Sequence, residues 1–166
     1  MTDTQKKPLW KNELVWLFLL TSGLFAILYS KFILGGYAYV FTDTGADTMQ
    51  INYAQYGLFS SLFRSGESGY VLQAGLGMDV SSYYPAYLIP YNLLILLAPQ
   101  RLLPWAVLAS AYLKMITISL VGYLFYRKLM QDGIGTMAAA LAWTFSGYVI
   151  LWLSLIHISE PTRPIS

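Results

Sequence analysis

Two aspartates spaced four apart, Asp43 and Asp47, sit in the stretch FTDTGADTMQ over 41–50. A carboxylate so placed can act as general base toward an acceptor hydroxyl. A pair can also ligate a divalent cation, since Mg²⁺ is commonly held by one or two carboxylates together with substrate phosphates. The spacing permits such a cation without demanding one, so no metal ligand is assigned and the cofactor stays open. Asp47 has a second reading. It or Thr48 can cap a following helix, and Gly45 favours a turn just before it. Asp43 is harder to explain as a cap, which makes it the first candidate catalytic group and Asp47 the second.

Lys114 is the next unusual residue. It stands inside an apolar run, Trp105 to Tyr126, about 13 Å from the start of that run. An ammonium at such depth in a membrane costs at least about 2.5–3.5 kcal/mol on insertion scales, and such residues usually face a cavity or a partner. Either Lys114 pairs with an acid for structure, or it binds an anionic group such as a lipid phosphate. Arg64 and Arg101 are the other candidate contacts for an anionic substrate. Other chemistries are missing from the sequence. It has no cysteine, which removes disulfides, thiolate zinc sites and cysteine nucleophiles. Its single histidine, His157, cannot build a Ser-His-Asp or His-metal constellation.

The scaffold that must hold these residues is a membrane one. Charged residues make up 11% of the chain and hydrophobic residues 57%, whereas soluble domains carry about 25% charged residues. That balance excludes an ordinary soluble enzyme and a disordered chain. A net charge of +2 is too small for a nucleic-acid partner. The first long apolar run, 14–34, reaches about 31 Å, one bilayer core, and its Lys31 can snorkel to the headgroups. The run is long for a cleavable signal and lacks a nearby cleavage site. Lys6, Lys7 and Lys11 precede it, so 1–13 is expected in the cytoplasm and 35 onward outside. The run 105–126 then returns inward to Arg127 and Lys128, and 134–153 goes out again after a short turn. Ala138 and Ala142 have the spacing that lets helices approach closely, although generic packing accounts for them as well.

Residues 35–104 therefore form an external segment that crosses the membrane an even number of times. Its one further apolar run, 86–98, is short and interrupted by Pro90, which predicts a re-entrant or interfacial piece. Over 47–64, Met49, Tyr53, Tyr56, Phe59 and Phe63 recur at helical steps. This is an amphipathic helix, lying on the membrane surface or packed against other helices. Gly75 and Gly77 predict a turn. The expected fold is an all-α polytopic membrane protein. It has three full transmembrane helices, with amphipathic and re-entrant or interfacial helices in the first external segment.

DTGADT over 43–48, followed by Gln50 and Tyr53, resembles the start of the YfhO family of bacterial membrane proteins. Gly75-Leu-Gly77, Pro90-Tyr-Asn92, Lys114, Gly122, YLFY over 123–126 and FSGY over 145–148 follow in an order similar to that family's, across about residues 10–152. The family is similar to GT-C glycosyltransferases, which take a sugar from a polyprenyl-phosphate carrier on the outer face of the membrane. The resemblance implies a GT-C-like N-terminal part and a bacterial cytoplasmic-membrane location. It also implies a polyprenyl-phosphate-linked sugar donor and a cell-envelope glycopolymer acceptor similar to lipoteichoic acid. In it Asp43 matches the essential acid of the first external loop and Lys114 a basic position near the carrier phosphate. Family members carry roughly a dozen membrane helices, each needing about 20 residues. The tail 154–166 resembles translated sequencing-adapter read-through, so the chain is expected to be an N-terminal fragment, inactive alone. The competing expectation is a small non-catalytic membrane protein, flippase-like or an assembly subunit.

Overall fold

A computed structural model describes residues 12–35, 53–66, 69–72, 77–79, 89–130 and 132–150. They are mostly helical, in two units described separately below. One comprises residues 1–37 with 112–150, and the other 38–111 with 151–166. The elements in chain order are α1 (Glu13–Leu28), α2 (Ser30–Leu34), α3 (Ala54–Ser65), β1 (Tyr70–Val71), β2 (Met78–Asp79), α4 (Leu93–Leu97), α5 (Leu103–Leu129) and α6 (Gly133–Thr144). Asp43 and Asp47 lie outside the described residues.

Helix α5 is the long element. It follows a 3₁₀ turn, Gln100–Leu102, and admits Pro104 in its first turn, where a backbone N–H is not needed. Arg127 and Lys128 occupy its last turn and complement the helix dipole there. At 27 residues it is about 40 Å long. Among the described residues, Gln100–Leu129 is the one helix long and apolar enough to cross a membrane.

The expectation of three uninterrupted spans is corrected at two places. Run 14–34 is not one helix. Helix α1 starts at Asn12, whose side chain accepts from the Leu14 N–H at 3.0 Å, and ends at Tyr29. There the Tyr29 ring turns inward and stacks on Phe25, with centroids 4.4 Å apart, while Tyr112 meets Phe25 edge-on. Tyr29 leaves helical geometry, and α2 restarts from its carbonyl. Run 134–153 also breaks, at Phe145 and Ser146. Helix α6 is capped at its start by Asp132, which accepts from the N–H groups of Ile134 and Gly135. Helical backbone resumes over 147–150, where the Ser146 hydroxyl accepts from the Val149 N–H. Ser146 thus ends one segment and caps the next.

The first unit packs α1, the later part of α5 and α6 through residues four apart. Leu17, Thr21 and Phe25 are buried on α1, and Met115, Ser119 and Tyr123 on α5. On α6 the buried stripe is Thr136, Ala140 and Thr144, each fully buried. Leu17, Tyr123 and Ala140 meet where the three helices join. Ala138 and Ala142, whose spacing would permit close approach, are exposed. The packed face lies two residues along, about 200° round the helix. Gly122 faces this stripe, and a Cβ there would be in ordinary contact with Ala140 at 3.8 Å.

The second unit holds α3, the hairpin, α4 and the start of α5. Helix α3 ends at Gly66, whose positive φ of 73° suits glycine as a C-cap. The apolar face expected over 47–64 is present from Tyr53 onward, with Tyr56 and Phe59 buried. It packs against α4, where Ile95 and Leu96 are fully buried, and the Ser60 hydroxyl donates to the Ala98 carbonyl at 2.6 Å. Of the two readings of this helix, the packed one describes these contacts. Of the run 86–98, residues 86–88 lie outside the described residues, and 89–98 hold a turn over 89–92 and then five helical residues, about 7 Å of rise. The segment Pro99 follows ends in extended backbone at Ala98, as a residue before proline prefers. An all-helical fold is corrected by β1 and β2, which pair antiparallel with Tyr70 opposite Asp79 and Val71 opposite Met78. Gly77, at φ 109°, leaves its Cβ position to the Tyr70 ring.

Candidate functional site

Lys114 lies eleven residues into α5 from Leu103, about 16 Å along the axis. Its side chain is partly buried. The turns of α5 around Lys114 are largely apolar, though Ser110, Thr117 and Ser119 also lie in them. The positions three, four, seven, eight, eleven and twelve residues after Lys114 continue its helical stripe. They are Thr117, Ile118, Val121, Gly122, Phe125 and Tyr126, and they line one wall of a cavity of about 530 Å³. Trp143 of α6 forms the other wall. The cavity is thus an apolar groove in the first unit, running along α5 from one turn beyond Lys114 toward Lys128. Its floor is open because Gly122 has no side chain.

Arg64 and Arg101 belong to the second unit. Arg64 stands exposed in the last turn of α3, where it complements the helix dipole, and Arg101 is exposed in the 3₁₀ turn that α3 touches. Both can receive an anion from solvent, and neither is held in a buried geometry. Among the described residues no group of three or more His, Cys, Asp or Glu side chains can hold a metal ion.

One polar constellation has no counterpart in the sequence reading. The Glu13 carboxylate accepts from the Tyr123 hydroxyl and from Arg127 Nη1 at 3.0 Å. It also occupies the space a Cβ at Gly133 would need, at the start of α6. One carboxylate thereby ties α1, α5 and α6 at one end of the unit. The signal was available: an acid at the head of the first run and a base at the foot of the returning run belong at the same end of antiparallel neighbours. Two further polar ties join α1 to α5 at greater depth. Thr21 and Ser119 share a hydrogen bond of 2.9 Å, and the Ser22 hydroxyl donates to the Phe18 carbonyl and meets the Tyr112 hydroxyl at 2.8 Å.

No protein-family model matches the chain, and no curated protein or solved structure matches it significantly.

Proposed function

We propose that this chain is the N-terminal part of a GT-C-type membrane glycosyltransferase of the YfhO family, set in the bacterial cytoplasmic membrane with its N-terminus inside. It takes a sugar from a polyprenyl-phosphate carrier and passes it to a cell-envelope glycopolymer on the outer face. The single observation that carries this reading is Lys114, a partly buried cation within the one helix long and apolar enough to cross a membrane. A charged residue at such a position in a membrane helix usually faces the bundle interior or a cavity and marks a functional site. In this reading Lys114 meets the carrier phosphate, Asp43 acts as general base on the acceptor hydroxyl and Asp47 supports it. Arg64 and Arg101 guide the anionic donor. The broken pairs α1–α2 and α6 with 147–150 cross alongside α5. Residues 13–34 together rise about 33 Å, enough for a bilayer core.

The test is complementation of a deletion strain with the full reading frame carrying Asp43→Asn. Glycosylation of the envelope polymer is expected to be lost while membrane abundance stays at the wild-type level. Lys114→Ala is expected to weaken binding of the lipid-linked donor. Wild-type transfer by both variants would replace the catalytic reading with that of a non-catalytic assembly subunit.

A further inference from the structure

The groove between α5 and α6 has a length, a lining and a charge that together specify an occupant. From Thr117 to Tyr126 it runs about 13 Å along the helix. One leaflet of bilayer hydrocarbon is about 15 Å thick. Its volume of about 530 Å³ lies in the range of sites that bury small ligands. Its walls are apolar, and Tyr126, two residues before Lys128, brings a ring of the amphipathic kind that favours the edge of a membrane. Lys128 follows Phe125 by three residues and Val121 by seven, so it continues the groove's face. It is exposed in the last turn of α5. Arg127, in contrast, is engaged by Glu13. The groove therefore ends at one cation placed where the helix meets the headgroups.

The geometry points to a binding site for one anionic glycerophospholipid of the cytoplasmic leaflet. Its acyl chain lies along Phe125, Val121 and Ile118, and its phosphate lies at Lys128. Basic pockets at the cytoplasmic ends of transmembrane helices recognise acidic headgroups in this way. Gly122, which also lines the groove, places no side chain in it. This site lies at the opposite end of the groove from Lys114 and binds a structural lipid, not a sugar donor. It rests on the proposed topology only in placing the Lys128 end of α5 at the cytoplasmic surface.

The chain has no cysteine, so Met130→Cys serves as a single-thiol reporter of that placement. Labelling by a membrane-impermeant maleimide only after permeabilisation is expected; labelling of intact cells would overturn the topology and the site with it. Lipid binding is read separately by native mass spectrometry of purified, delipidated protein offered equal phosphatidylglycerol and phosphatidylcholine. The wild type is expected to retain one phosphatidylglycerol in preference. Val121→Trp fills the groove from its rim and is expected to lose the retained lipid. Circular dichroism checks that this variant folds. Lys128→Gln leaves packing untouched and is expected to lower the preference for phosphatidylglycerol about fivefold. With the maleimide result as expected, indifferent retention of both lipids, or a preference that survives Lys128→Gln and vanishes on Lys114→Gln, overturns the lipid site alone.

Discussion

The two units differ in the balance of what they bury. In the unit of α3 and α4 large apolar side chains predominate, Phe59, Ile95 and Leu96 among them, with Ser60, Asn92 and Ser110 as the buried polar residues; apolar groups of that size leave water in any folded domain. In the unit of α1, α5 and α6 the interior includes Thr21, Ser119, Thr136, Ala140 and Thr144, while Phe18, Leu20, Leu24, Val121, Leu124 and Phe125 face outward. In this unit exposed Leu, Phe and Val side chains surround an interior that mixes Leu17, Phe25 and Met115 with threonine and serine. Such a pattern suits a lipid surround, where helices associate through small residues, close contact and interhelical hydrogen bonds. The lesson is that cavity size should govern stability in one unit, and fit and polar ties in the other.

Substitutions at matched depths can break that contrast. Phe59→Ala empties a fully buried ring position and should cost about 3–5 kcal/mol, read as a lowered midpoint for protease cleavage within α3. An equal cost for shrinking Thr136 would erase the distinction between the units. Ala140→Leu adds bulk where Gly122 of α5 faces it, and should cost about 1–3 kcal/mol; reversible unfolding in mixed micelles measures it. Thr21→Val removes the bond to Ser119 at nearly constant volume. Its cost should be near 0.6 kcal/mol, a value on the order of those found for polar ties between membrane helices. The smallest effect belongs to Glu13→Gln. The pair with Arg127 is partly exposed on both sides, so a change of a few tenths of a kcal/mol is expected, with the loss fading further as salt is raised. A stability change above about 2 kcal/mol would show that the Glu13 tie, not the helix fit, holds this unit together.

The long helix was legible because its limits are chemical. Pro104 near its start and Arg127 with Lys128 at its end bracket an apolar run, and the structure extends the expected 105–126 by only a few residues at either end. Lys114 was legible for the same reason, as a lone charge in that run. The phase of α6 was not. Its apolar residues surround the helix, and the stripe that packs inward is the one carrying Thr136 and Thr144, which hydropathy alone would turn outward. The break at Tyr29 likewise arises from stacking on Phe25 and the nearby Tyr112 ring, which comes from a segment more than eighty positions away. Two-residue strands are too short to show alternation, so β1 and β2 registered only as the turn at Gly77. Asp43 and Asp47, singled out by residue type and spacing, lie beyond what the structure describes.

The Glu13 contact also has a history in time. Its partner Arg127 is 114 positions later in the chain. At roughly 5–20 residues per second of synthesis, about 6–23 s separate the appearance of the two side chains. For that interval α1 must hold its place with Thr21 and Glu13 both lacking the partners they acquire later. In the proposed topology the exposed Leu, Phe and Trp side chains of α1 would supply that interim residence on their own, and the ties to α5 would then fix its rotation.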